Sequence, residues 1–326
     1  MTPDTVEEQL VKYLTDAHSI EQQALVQMKT APKIAGDEQI AAAFSDHLTE
    51  TEGHERRVAE QLELHDAKPS KVKDIAGSVT GMGFGAFALA QPDTPGKLVV
   101  HAFSYEHMEE AAYDLLAMVA QRAGDTGTVQ TAREIEQQER AMGDRLAGFF
   151  DRAVDAALRE VSPDDLPEQL DKYLADAHAI EAQAVQLLEK GPELAGTPEL
   201  ASAYEEHRQE TEEHQRLIAA RLDARSSGPS RLKDAALALG ALNWGAFFQA
   251  QPDTAAKLAA FAFAFEHLEI GAYEMLRRVA ARAGDTETER VATRILGEEH
   301  AAADRLHSLF DQALDASLHE QGVGAR

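Results

Sequence analysis

The chain repeats itself. Lys12-Tyr13-Leu14 returns as Lys172-Tyr173-Leu174, Ala90-Gln91-Pro92-Asp93-Thr94 as Ala250-Gln251-Pro252-Asp253-Thr254, and Ala123-Gly124-Asp125-Thr126 as Ala283-Gly284-Asp285-Thr286. Every landmark is displaced by 160 positions (172 − 12, 250 − 90, 283 − 123), with no insertion or deletion between them. That period is too long for a solenoid and is the size of a whole domain. The chain is therefore expected to divide into residues 1–160 and 161–326, joined at the polar stretch Glu160-Val161-Ser162-Pro163-Asp164-Asp165. Whatever one half folds into, the other half folds into as well.

Each half reads as helices, and no alternating strand pattern is convincing. Thr5-x-x-Glu8 and Asp165-x-x-Glu168 are capping-box signatures that open a first helix. In the first half that helix carries Val6, Leu10, Leu14, Ala17, Glu21, Ala24 and Met28 along one side and stops near Pro32 and Gly36. Thr197-Pro198 supplies an N-cap and a proline at the first position of the second helix in the second half. The first half's second helix runs to about His65. A third helix begins after Asp93-Thr94 and ends at Gly124, a good residue just past a helix end. Asp125 and Thr126 cap a fourth, which is expected to continue to about Leu158.

The links between helices fix the topology. The first two helices, and the last two, are joined by short connections and form antiparallel hairpins. Between the hairpins, residues 67–93 are long enough to traverse the bundle, with a short apolar helix expected around Ile75 to Ala88. Two hairpins and one long crossover describe a ferritin-like four-helix bundle. The fold class is thus all-α, two such bundles in tandem. Gly81-x-Gly83-x-Gly85 suggests a phosphate loop, but it follows no strand, and the second half keeps only Gly245. Tight packing of the crossover explains it better.

The helices also place polar residues where a core is expected. In His47-Leu48-Thr49-Glu50-Thr51-Glu52-Gly53-His54, the residues His47, Glu50 and His54 share a helix face with Ala43. The first helix adds Glu21, the third Glu106 and Glu109 on a stripe with Val99, Ala102, Tyr113 and Leu116, and the fourth Glu139. All recur, as Glu181, His207, Glu210, His214, Glu266, Glu269, Tyr273 and Glu299. Buried charge is costly unless it is paired or bound to metal, and converging carboxylates cannot all ionise unaided. Two divalent ions per half, bridged by glutamates about 3.5–4 Å apart, would balance them. Glutamate oxygen with few imidazoles favours iron or manganese. The expected metal residues are Glu21, Glu50, His54, Glu106, Glu109 and Glu139, with Glu181, Glu210, His214, Glu266, Glu269 and Glu299. His47 and His207 are left open as ligands or outer partners, and Tyr113 and Tyr273 as core aromatics or donors to a glutamate. His18, His65, His101 and His107 read as surface or boundary residues, and Glu52, Glu55 and Glu110 as a solvated face.

At these residues the chain resembles the YciE/YciF family. The resemblance rests on the Glu21 region, His47-x-x-Glu50-Thr51-x-x-His54, Glu106-His107-x-Glu109-x-x-x-Tyr113, and Glu139 with Asp144. It covers both halves nearly end to end. It implies a ferritin-like, stress-associated protein whose members are single domains of this half's size, resembling dimeric dimetal bundles. The chain would then be a fused dimer whose halves pack as a pseudo-dimer, with further homo-oligomers open. The chain departs from the wider di-iron pattern. Glu50 and His54 stand four apart instead of three, the fourth helix has no inward histidine, and the Glu106/Glu109 pair is similar to rubrerythrin-like sites.

A net charge of −26 argues against nucleic acid and against anionic membranes. The absence of cysteine excludes thiolate metal sites, iron–sulfur clusters and cysteine nucleophiles. No basic-then-apolar leader opens the sequence, so a soluble cytoplasmic protein is expected. Three functions remain open. The first is a redox dimetal protein, a di-iron or di-manganese oxidoreductase acting on peroxide, oxygen or ferrous iron. The second is a protein that sequesters metal without turnover. The third is a structural bundle whose inward acids are protonated or paired.

Overall fold

The computed structural model describes residues 5–68, 94–225 and 254–323. The expected crossover helix around 75–88, the glycines at 81, 83 and 85, and Gly245 lie outside the described residues. The chain divides between Leu158 and Arg159, with the last residues from Gln321 grouped with the first unit. No strand occurs among the described residues.

The first unit contains α1 (Val6–Met28), α2 (Ala31–Ile34), α3 (Glu38–Leu64), α4 (Thr94–Ala123), α5 (Thr126–Ala147) and α6 (Phe150–Ala157). The second contains α7 (Leu166–Leu194), α8 (Pro198–Ala224), α9 (Thr254–Ala283), α10 (Thr286–Ser308) and α11 (Phe310–Glu320). The caps follow the sequence in most places. Thr5 accepts the Glu8 N–H at 3.1 Å and Thr197 that of Leu200 at 3.2 Å. Asp125 accepts from Gly127 and Thr128, both at 3.0 Å, satisfying donors the helix leaves open. Asp165 differs: its side chain makes no cap bond and instead accepts from the Ser162 hydroxyl at 2.7 Å. Gly124 and Gly284, at φ of 75° and 71°, make the left-handed turns between the last two long helices of each unit.

In the first unit α1 packs against α3 and α4, and α5 against α4 and α3. The diagonal pairs are therefore α1 with α5, and α3 with α4. His65 at the end of α3 meets Asp125 at the start of α5 at 2.8 Å, while Gly36 lies against Pro95 at the start of α4. So α3 ends at the end of the bundle opposite to where α4 begins, as two hairpins joined by a long crossover require. In the second unit α7 packs on α8 and α9, and α10 on α9 and α8, in the same cyclic order.

The fourth helix is not continuous to Leu158. It ends at Ala147, and a new helix starts at Phe150. The second unit breaks at the same place, around Leu309, with Ser308 where the first has Gly148. Glycine is therefore not the common cause. Phe150 packs edge-on against Phe103 with ring centroids 5.4 Å apart, and Phe310 against Phe263 at 5.6 Å. Turning the chain there buries both phenylalanines against the third long helix.

Glu110 is not solvated: it is buried with Glu136 and Asp114 on the α4–α5 seam. Arg140 binds Glu110 at 2.8 Å and Glu136 at 2.9 Å, and Arg133 binds Asp114 at 2.5 Å and Glu136 at 2.6 Å. The aliphatic stems of the arginines cover the acids while their heads stay half-exposed. His18 is likewise buried and bonds Glu55 at 3.0 Å.

Candidate metal centre

Every long helix of the bundle sends polar side chains to one point. Glu21 comes from α1, His47 and His54 from α3, Glu106 and Glu109 from α4, and Glu139 from α5; all six are buried. The same positions in the second unit (Glu181, His207, His214, Glu266, Glu269, Glu299) are buried too. Each histidine is the centre of a short set of contacts. His47 Nε2 lies 3.1 Å from Glu106 and 3.3 Å from Glu139. His54 Nδ1 lies 2.7 Å from Glu139 and 3.8 Å from Glu21. In the second unit His207 Nε2 is 2.7 Å from Glu266, and His214 Nδ1 is 2.8 Å from Glu299.

The potential ligand atoms fall into two groups in each unit. His47, Glu106, Glu109 and Glu139 each offer an atom, and these lie within 4.8 Å of one another; Glu21, His54 and Glu139 form a second such group. Glu139 belongs to both. The second unit repeats the pattern with His207, Glu266, Glu269 and Glu299, and with Glu181, His214 and Glu299, sharing Glu299.

Glu50 and Glu210 are not brought into either group. On α3 the buried positions include 47, 51, 54 and 58, and Glu50 lies to the solvent side of them. Thr51 takes the inward place, buried, its hydroxyl donating to the His47 carbonyl at 3.0 Å. The side chain of Glu50 is 49% exposed, and its carboxylate meets His47 Nδ1 at 2.9 Å. Glu210 stands likewise 3.2 Å from His207 Nδ1 and is also bound by Arg305 at 2.5 Å. His47 and His207, left open by the sequence, face the cluster with their other nitrogen.

The outer nitrogens of His54 and His214 have partners that no sequence signal singles out. His54 Nε2 meets Gln138 Oε1 at 3.1 Å, and His214 Nε2 meets Glu298 Oε2 at 2.6 Å. Gln138 and Glu298 directly precede the inward Glu139 and Glu299 and carry no periodic signal. Tyr113 and Tyr273 are both buried and donate their hydroxyls to Glu21 and Glu181.

The electrostatics are those of a site short of positive charge. Burial, then Glu139, holds Glu21 well above the usual carboxylate range, and the same two causes act on Glu109. Burial pushes Glu106 to about 7, against the pull of His47. Burial and Glu299 take Glu181 to about 8, and burial takes Glu266 to about 7. Burial lowers the affinity of His47 for a proton, but Glu106 and its other acidic neighbours outweigh that and raise it. Glu21 Oε2 and Glu109 Oε1 are buried and accept no hydrogen bond among the described residues, and the buried oxygens of Glu106 and Glu139 face the inward histidine nitrogens. Buried oxygens left without a hydrogen bond are rare, and the cluster's donor set of oxygen plus imidazole fits a metal ion. Four glutamates per unit carry −4 when ionised, a charge that bound metal ions would offset.

Fold and cluster together define a class: an all-α protein of two tandem helical bundles, each with buried histidine–glutamate groups of a kind able to hold metal ions. The chain belongs to the family described as Domain of unknown function (DUF892), which matches it twice, over residues 5–159 and 165–319. It is also similar to Protein YciF of Escherichia coli (strain K12), 25% identical over 152 residues, covering 45% of this chain and 90% of that protein. No solved structure matches it. No helix among the described residues is long and apolar enough to cross a membrane.

Proposed function

We propose that each unit is a ferritin-like dimetal centre for iron or manganese, and that the pair of metals consumes peroxide or oxygen or oxidises ferrous iron. The observation that carries this reading is the sharing of Glu139, and of Glu299, between two ligand groups. A carboxylate common to both groups is what a bridged metal pair needs. The ligands would be His47, Glu106, Glu109 and Glu139 on one side and Glu21, His54 and Glu139 on the other, with the equivalent residues in the second unit. Glu50 and Glu210 would act through His47 and His207, fixing which ring nitrogen carries the proton.

When bound, such a pair supplies the two electrons that peroxide reduction requires. The chain's own residues do the rest. Hard carboxylate oxygens favour the higher oxidation states of iron and manganese. Tyr113 holds Glu21 by a hydrogen bond, so its carboxylate is oriented before metal arrives. Leu14, Ala17, Leu116, Ile135 and Met142 are buried in the same bundle and keep bulk water away. Association with stress response accords with the resemblance to the YciE/YciF family.

The reading is tested by stopped-flow mixing of iron- or manganese-loaded protein with hydrogen peroxide. Optical change at the centre and peroxide loss above free-metal controls support it. Neither effect with either metal replaces turnover by sequestration.

A further inference from the structure

The two centres of this chain differ behind both histidines: Arg305 binds Glu210 at 2.5 Å whereas the equivalent Arg145 binds Asp46, and the partner of the second histidine changes in kind. Where the six inner residues are identical between units, the residue behind the second histidine is not. His54 Nε2 faces the amide oxygen of Gln138 at 3.1 Å; His214 Nε2 faces a carboxylate oxygen of Glu298 at 2.6 Å. Arg294 binds the other oxygen of Glu298 at 3.0 Å, which fixes the carboxylate in place. The first histidine of each unit has a carboxylate behind it, Glu50 or Glu210. In the first unit, then, one of the two imidazoles has an acidic partner, and in the second unit both have.

In every case the inward nitrogen is the one pointing at the glutamates. Its lone pair is free for a metal only when the ring proton sits on the outward nitrogen. Both Gln138 and Glu298 accept that proton and so select the same tautomer. They differ in charge. A carboxylate draws the N–H proton toward itself and makes the opposite nitrogen a stronger donor, which a neutral amide does to a lesser degree. Removing or weakening such an outer partner typically costs about 10–100-fold in metal affinity.

We infer that the two metal centres are unequal, Glu298 making the second unit's centre the tighter and Gln138 leaving the first unit's centre the weaker. The inference rests on the dimetal reading above. Gln138 and Glu298 are positioning residues: they act through His54 and His214.

The test uses manganese(II) alone added to the full chain, with free ion followed by its electron paramagnetic resonance signal. Wild type should fill in two steps separated by about tenfold or more. Glu298→Gln should weaken the tight step to match the other, and Gln138→Glu should tighten the weak step. A structural role alone would not move the imidazole nitrogen resonances. Nitrogen NMR of the ¹⁵N-histidine-labelled, metal-free protein, taken at a pH where both rings are neutral, should therefore show the outer nitrogen of His214, and not that of His54, shifted by a carboxylate acceptor. Glu298→Gln should abolish the difference. Binding in a single step that neither substitution alters, or indistinguishable histidine resonances, overturns the inequality and leaves the dimetal reading standing. No manganese binding at any concentration overturns both.

Discussion

Tyr113, from α4, donates its hydroxyl across the bundle to the Glu21 carboxylate on α1, with both side chains fully buried. Tyr273 and Glu181 repeat the contact. Among the described residues the other oxygen of the Glu21 carboxylate accepts no hydrogen bond. Tyr113→Phe removes the donor and leaves the acceptor buried. We predict a loss of about 1–3 kcal/mol in the metal-free protein, read as a lowered midpoint in urea unfolding. Tyr273→Phe should do the same.

The pH dependence of the metal-free protein has a definite sign. Glu106 and Glu266 rise from 4.5 to about 7 and Glu181 to about 8, so the folded state binds protons that the unfolded state has released. His214, raised from 6.5 to about 9, extends the same imbalance upward. Stability falls with pH wherever the folded state holds more protons. Metal-free protein should therefore lose stability steadily between about pH 4.5 and 9. Metal binding must displace those protons, so the gain in melting temperature on adding metal should grow over the same range. Calorimetric scans with and without manganese check both slopes; a metal-free protein that becomes more stable toward pH 8 contradicts them.

Shared and unshared ligands predict different stoichiometries. Glu139→Ala takes a ligand from both groups of the first unit, and Glu21→Ala from one. The first should remove both metals of that unit and the second only one. Glu50→Ala should keep both ions and weaken them by about 10–100-fold, as an outer partner does. Equilibrium dialysis of the three variants separates these outcomes.

Much of this arrangement was legible in the sequence. Glu21, His54, Glu106, Glu109 and Glu139 sit on stripes of apolar residues at helical spacing, and the structure brings all five together. Periodicity specifies a face to within a fraction of a turn, which is too coarse at the edge of a stripe. Glu50 and Thr51 differ by 100° around α3, and only packing against α1 and α5 decides which one points inward. The break near Phe150 had no proline or run of glycines to announce it, because its cause is a tertiary contact with Phe103. Gln138 and Glu298 could be found only by knowing where the histidines' outer nitrogens lie.

The seam acids of the first unit test the cost of buried charge. Glu110, Glu136 and Arg140 correspond to Ile270, Leu296 and His300 in the second unit. Replacing a buried ionic cluster by apolar residues of like volume is often neutral or stabilising, whereas removing one partner strands a charge. Arg140→Ala should destabilise the first unit by about 1–3 kcal/mol, and adding Glu110→Ile and Glu136→Leu should restore stability. Chemical denaturation of the single and triple variants gives the comparison.

The central claim is that each unit holds a pair of metal ions, and metal content tests it most directly. Protein purified without chelators, or stripped and reloaded with iron(II) or manganese(II), should carry two tightly held ions per unit and four per chain by elemental analysis. Folded protein that retains neither metal after reloading and gel filtration would contradict the account, leaving the inward glutamates as protonated members of the core.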